Sequence, residues 1–258
     1  MNPGSGDKFV MLHVMLQEFG IDGIYVVHAK KGYELHEARI RDLFGSFGME
    51  YELVTEGDPS CFSDELLHQY FIPEIRDVLR EGIISCTLNH ILSYERIVKN
   101  KNKFALVFEN DPFFLGNFPE KIAKIASEAQ KLDKGFMISL ENTTLEFPPT
   151  RSLRKGQLLY EASRGRCAGA YMMDLEAARK ILEDLKTRKC HTVIDWWHNS
   201  LITNHIVRMY WADPPLTEQG SHNGRMASTI SSKNRNLMRQ LQWNVQKGYK
   251  MYIARWFK

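Results

Sequence analysis

Asp22 to His28 (DGIYVVH) is a short β-branched and aromatic run, and it predicts a buried first strand that stops at Ala29-Lys30-Lys31-Gly32. Leu35, Ala38, Leu43 and Phe47 follow at near-helical spacing, with Gly48 as a stop. Glu50 to Thr55 (EYELVT) alternates like a second strand. Strand, helix and strand in this order make a βαβ unit, whose natural consequence is a parallel sheet flanked by helices.

Ser63-Asp64-Glu65 has the chemistry to cap a helix running to Phe71, which Pro73 ends or kinks. Between Gly82 and Lys99, Ile84, Leu88, Ile91 and Val98 share one helical face, the clearest such pattern in the chain. Phe104 to Phe108 is wholly apolar and runs directly into Glu109-Asn110-Asp111-Pro112. Further strands are predicted at Gly135–Leu140, Gln157–Ala162, Cys167–Met173 and Ile206–Trp211, with a helix at Leu175–Leu185. Leu237, Leu241, Val245, Tyr249, Tyr252 and Trp256 fall near one face of a terminal helix that Gly248 interrupts. The chain therefore divides into an extension over residues 1–21, an α/β domain over 22–221 and a tail over 222–258.

Composition adds little to that picture and charge adds more. Four scattered cysteines without a C-x-x-C pair suggest buried free thiols in a reducing compartment, and no apolar run reaches the roughly 18 residues of a membrane span. A cytoplasmic protein is the expectation. The net charge of +3 conceals a split: no acidic residue follows Glu218, and taking away the eight later lysines and arginines leaves −5. A basic, aromatic tail suits an anionic membrane surface or phosphorylated acceptor, whereas no recognised nucleic-acid motif is present.

Phosphate-cradling loops are missing, since neither G-x-x-x-x-G-K-[ST] nor a post-strand G-x-G-x-x-G occurs. Glu109 and Asp111, one residue apart at the exit of a buried strand, could instead hold Mg²⁺ or Mn²⁺ beside a diphosphate; the competing reading is a solvated turn before Pro112. His28, Lys30 and Lys31 stand where open α/β sheets place ligands, although surface lysines need no function. His222 is either a third metal ligand or diphosphate contact, or an exposed loop histidine. His191, Asp195 and His198 have zinc-like spacing, but Val193-Ile194 argues against one continuous helix there. His90 lies in an apolar helical face, as a satisfied core histidine would.

Several blocks resemble glycosyltransferase family 25 in the correct order. Ile24–Val27 is similar to its first strand, Gly82–His90 to its "GEIGCALSH" helix start, and Phe104–Asp111 to its "ALILEDD" acidic exit. Gly169–Met173, Val193-Ile194-Asp195 and Pro214–Gln219 resemble its later "AYII", "PVD" and "P-P-L-x-x-Q" elements. The resemblance implies a GT-A fold, a Mn²⁺- or Mg²⁺-dependent UDP-sugar donor, often UDP-galactose, and inverting transfer to a lipid-linked lipopolysaccharide or lipooligosaccharide glycan. It makes Asp195 the general base, with Trp196-Trp197 available to stack on a sugar, and Glu141 the second candidate; the competing reading of Asp195 is the cap of a helix starting at Trp196. Asp58 matches an acidic family turn near the nucleotide. The sequence departs at His28-Ala29-Lys30-Lys31, which motivates a second reading as a non-catalytic sugar-nucleotide or glycan-binding module.

Overall fold

The computed structural model describes residues 16–143, 145–226 and 237–257. Its centre is a seven-stranded sheet of order β2-β1-β3-β7-β5-β8-β6. The strands are β1 (Ile21–Val27), β2 (Glu52–Val54), β3 (Phe104–Glu109), β5 (Phe136–Ser139), β6 (Leu159–Ala162), β7 (Ala170–Asp174) and β8 (Arg208–Ala212). β1 is parallel to both β2 and β3, and β5 is parallel to β8, whereas β7 and β6 run antiparallel to their neighbours. The expected mainly parallel α/β sheet is thus present, with two reversed strands.

Strand alternation divides the core into two layers. Ala105 and Val107 face helices α2 (Asp64–Tyr70), α4 (Glu81–Asn100), α6 (Leu175–Thr187) and α7 (Ile194–Thr203), which supply Leu67, Ile84, Ile181 and Trp197 among others; α3 (Ile75–Val78) adds Ile75. Phe104, Leu106 and Phe108 face α1 (Glu34–Gly45) and α5 (Phe118–Ala129), which supply Ile40, Phe44, Ile122 and Ile125. Capping follows the chemistry expected of it: the Ser63 hydroxyl accepts from Leu66 N at the start of α2. Asp174 caps α6 through Ala177 N and also accepts from Gly135 N and Phe136 N, tying the helix to the beginning of β5.

Other elements go beyond the hydrophobic pattern. α5 was not signalled, and neither was the separate two-stranded ribbon of β4 (Pro112–Phe114) and β9 (Thr217–Gln219), which is followed by the short α8 (Gly220–Asn223). α7 begins at Ile194 behind an extended Val193, so Asp195 lies in its first turn and is not its cap. The terminal helix α9 (Leu237–Gly248) ends at Gly248, as expected, and continues only as a π turn and a 3₁₀ turn to Phe257.

Candidate active site

β1 leads to β2 on one side, and the chain then crosses back to lay β3 on the other side of β1. Such a reversal opens a crevice beyond the carboxyl ends of the two strands. Here it is a cleft of roughly 570 Å³, open solvent included, with His28, Cys86, Asn89, Glu109, Asp111 and Ser221 in its lining. The acidic corner is built by a change of partner. β3 pairs with β1 as far as Glu109, opposite Val27; Pro112 then starts the ribbon with β9, opposite Gln219. Asp111 is fixed at this hand-over, its main-chain oxygen accepting from Gly220 N at 2.9 Å and its Oδ2 from Ser221 N at 2.7 Å. It is 4% exposed, and its other oxygen, Oδ1, is buried without a hydrogen-bond partner.

Glu109, Asp111, Glu141 and Asp195 act electrostatically on one another. Burial and then the Asp111 charge push Glu109 up to about 7, and burial followed by the Glu109 charge pushes Asp195 up to about 7. Burial, then Glu109 and Asp195, raise Glu141 well above the usual carboxylate range. Among the described residues no lysine or arginine forms an ion pair with any of the four; His90 comes within 3.7 Å of Glu109, but burial holds its ring neutral, with a pKa of about 3. Three buried carboxyls that resist ionisation, beside an Asp111 with an orphaned oxygen, fit a divalent cation and its hard-ligand preference.

The predicted residues divide into two groups. Glu109, Asp111, Glu141 and Asp195 are brought together, from β3, the segment after β5 and the first turn of α7. Glu141 accepts from Gly169 N at 3.1 Å, while Asp195 takes a backbone hydrogen bond from Ala168. His222 is close enough to Glu109 to favour its charged form and packs against Trp243, with ring centroids 6.1 Å apart. His28 is buried beside the acidic corner, its Nδ1 3.3 Å from Asn110 Nδ2. Lys30 and Lys31 are exposed and are not among the residues lining the cleft. Asp58 caps the turn at Pro59–Cys61 and accepts from the main-chain N of Lys30, so it shapes the loop after β1 from behind the cleft.

Other expectations are corrected. Trp197 is a core residue, leaving Trp196, which is 71% exposed, as the member of that pair open to solvent. The His191–Asp195–His198 zinc arrangement, already disfavoured by Val193-Ile194, does not form: His191 precedes the helix, and His198 Nε2 is buried 2.6 Å from Tyr94 Oη. All four cysteines are free as expected, but Cys190 alone is buried and Cys61 is exposed. His90 is only half satisfied, because Nδ1 meets Tyr171 Oη at 2.8 Å while Nε2 has no hydrogen-bond partner.

Residues outside the predicted set complete the corner. Gln219 donates its side-chain amide to Glu109 Oε2 at 2.9 Å. Asn89 accepts from Gly57 N at 2.8 Å and donates to His28 O at 3.3 Å, clasping the ends of β1 and β2 to α4. Arg39 and His36 of α1 lie within electrostatic reach of Asp111, with the Arg39 guanidinium 4.0 Å from the centre of the Phe113 ring. Cys86 and His90 carried a usable signal, a sulfur and an imidazole four residues apart on one helical face.

The tail lies on the domain. Lys247 Nζ reaches Oε1 of the buried Glu218 at 2.5 Å, and Arg255 pairs with Asp213 at 2.8 Å. Two of the eight tail cations are therefore committed internally; Lys233, Arg235, Lys258 and the Arg239 side chain lie outside the described residues. Met238, Leu241, Val245, Tyr249, Tyr252 and Trp256 are exposed at helical spacing. Among the described residues no helix is long and apolar enough to cross a membrane.

Comparison with known proteins bears on this corner directly. A Glycosyltransferase 25 family member from Aedes aegypti is 22% identical to the chain over 235 residues, covering 83% of the chain and 38% of the relative. The chain thus spans well under half the length of that relative. The sequence model for glycosyltransferase family 25 (LPS biosynthesis protein) matches residues 24–196, a span that begins in β1 and includes Glu109, Asp111, Glu141 and Asp195. With two thirds of its length matched around one acidic cleft, the chain belongs to glycosyltransferase family 25.

Proposed function

We propose that the protein is a glycosyltransferase of GT-A type that moves a hexose, galactose in the first instance, from a UDP-sugar to a lipopolysaccharide or lipooligosaccharide glycan. The observation that carries this reading is the convergence of four carboxylates at the β1/β3 crevice, with Asp111 Oδ1 buried and unsatisfied. Glu109 and Asp111 are the proposed ligands of Mn²⁺ or Mg²⁺, with His222 as a further candidate. Such a cation would supply charge stabilisation to the departing nucleoside diphosphate. Arg39 and His36, beside Asp111, are better placed than Lys30 and Lys31 to meet phosphate charge.

Asp195 is the proposed base. The acceptor hydroxyl oxygen attacks the anomeric carbon, its proton passes to the Asp195 carboxylate, and the bond from that carbon to the diphosphate oxygen breaks, with inversion. A carboxylate raised to about 7 holds a proton more readily than an ordinary aspartate and is half ionised near neutrality. Trp196 supports the reading as a sugar platform beside it. The exposed apolar stripe of the tail supports a peripheral contact with the anionic, cytoplasmic face of a membrane, where lipid-linked acceptors reside.

Asp111→Asn tests the core of the proposal. Metal-dependent turnover of UDP-sugars is expected to vanish while the melting profile survives, and full turnover in that variant would end the metal assignment. Calorimetry with UDP and Mn²⁺ separates the second reading: binding without turnover of any donor, across several acceptors, identifies a non-catalytic module.

A further inference from the structure

We propose that Cys86, His90 and Glu109 form a binding site for a borderline-soft divalent cation such as Zn²⁺. Cys86 and His90 stand one turn apart on α4, and Glu109, the last residue of β3, projects onto that face. Glu109 Oε1 is 3.9 Å from Cys86 Sγ and 3.7 Å from His90 Nε2, and one ligand atom from each residue lies within 4.8 Å of the others. Tetrahedral bonds of about 2.0 Å to nitrogen or oxygen and 2.3 Å to sulfur require the two Glu109 pairs to close by a few tenths of an ångström and the Cys86–His90 pair by up to about 1.3 Å, within reach of side-chain rotation.

An independent observation points into the same space. His90 is fully buried and its Nε2 has no hydrogen-bond partner. The 3.7 Å separation from Glu109 is too long for an N–H···O bond. The other face of the ring is held by a buried chain: His90 Nδ1 to Tyr171 Oη at 2.8 Å, Tyr171 Oη to Tyr94 Oη at 2.9 Å, and Tyr94 Oη to His198 Nε2 at 2.6 Å. With Nδ1–H donating to Tyr171, Tyr171 to Tyr94 and Tyr94 to His198, every proton has one acceptor and His90 Nε2 is left as a lone pair. A histidine oriented by a hydrogen bond from its far nitrogen is the outer-shell pattern of a metal ligand.

The donor set decides the metal. One sulfur, one imidazole nitrogen and one carboxylate oxygen favour Zn²⁺ over Mg²⁺ or Mn²⁺. Three protein ligands leave a fourth position, and since Cys86 and Glu109 line the cleft, that position opens toward it. On binding, the Cys86 thiol gives its proton to solvent and binds as thiolate, while His90 binds as the neutral ring. Glu109 also belongs to the proposed Mn²⁺ pair, so the two cations exclude one another; that consequence, unlike the site itself, rests on the transferase reading.

Co²⁺ serves as the probe. Titrated into the metal-free full chain, it is expected to give one equivalent of tight binding with a thiolate-to-cobalt charge-transfer band, displaced by Zn²⁺. The band should persist in Asp111→Asn, disappear in Cys86→Ser, and require at least about tenfold more Co²⁺ in His90→Gln. No band in the folded wild type, or an undiminished band in Cys86→Ser, overturns the proposal. Should the variants not fold, alkylation of the unmutated protein decides: Zn²⁺ is expected to protect Cys86 and leave Cys61 reactive, and equal labelling of Cys86 with and without Zn²⁺ rejects the site. No donor sugar enters either measurement, so their failure leaves the transferase reading standing, and failure of UDP binding leaves this one untouched.

Discussion

Gly169 and Gln219 touch so closely that a Cβ at position 169 would lie 2.3 Å from Gln219 Cδ. The same glycine accepts from Glu109 N and donates to Glu141 Oε2, while Gln219 donates to Glu109 Oε2. Gly169→Ala must therefore displace Gln219 and loosen Glu109. Overpacking of this kind costs about 1–3 kcal/mol. In a denaturation cycle, adding Gln219→Ala to Gly169→Ala should recover part of that loss; strictly additive effects would show that the contact is not the cause.

In metal-free protein the contribution of Glu109 and Asp195 to stability should fall as pH rises, against the opposite contribution of the buried neutral rings of His90 and His198. Folding raises Glu109 from 4.5 and Asp195 from 3.8, each to about 7, so the native state holds protons that the unfolded state has already released. Their contribution is fully present below about pH 4, declines up to about 7 and is flat above it, and every tenfold gain in proton affinity on folding corresponds to about 1.4 kcal/mol. Relative to wild type, Glu109→Gln should gain stability between about pH 4 and 7 and be the more stable metal-free chain at pH 8. Saturating Mn²⁺ should reverse the order of wild type and Glu109→Gln at pH 8; urea midpoints from pH 4 to 9 with and without Mn²⁺ measure both.

Asp195→Asn should lower kcat by a factor of about 10²–10⁴, the usual contribution of a general base, with UDP affinity unchanged. Glu141→Gln keeps the acceptor for Gly169 N and replaces a carboxyl that burial already keeps protonated, so it should leave the acidic limb of the rate profile where it is. An Asp195→Asn enzyme with normal turnover removes the residue from the chemistry.

Lys247→Ala leaves the buried Glu218 carboxylate with Asn142 and Asn223 as its remaining partners. Removing one member of a buried ion pair costs roughly 3 kcal/mol, less here because Lys247 is partly exposed. Faster proteolysis within residues 237–257 and faster amide exchange in α9 are the expected readouts. Unchanged protection would mean that the other contacts, Arg255–Asp213 and His222–Trp243 among them, hold the tail without it.

The sequence by itself determined the sheet strands and most of the helices around them, because β-branched runs and i, i+4 apolar faces are local patterns that burial then rewards. α5 and the β4–β9 ribbon escaped it: the ribbon joins segments a hundred residues apart, and no local period encodes that pairing. Glu109 and Asp111 were legible for the same reason, as two acids at the end of one apolar strand. What only the tertiary structure decided was their company. Glu141, Asp195, Gln219 and His90 come from four separate segments, and they converge because the order of strand addition reverses at β1 and opens one crevice there. Charge and hydrogen bonding depend on distance in space, which the order of residues along a chain does not supply.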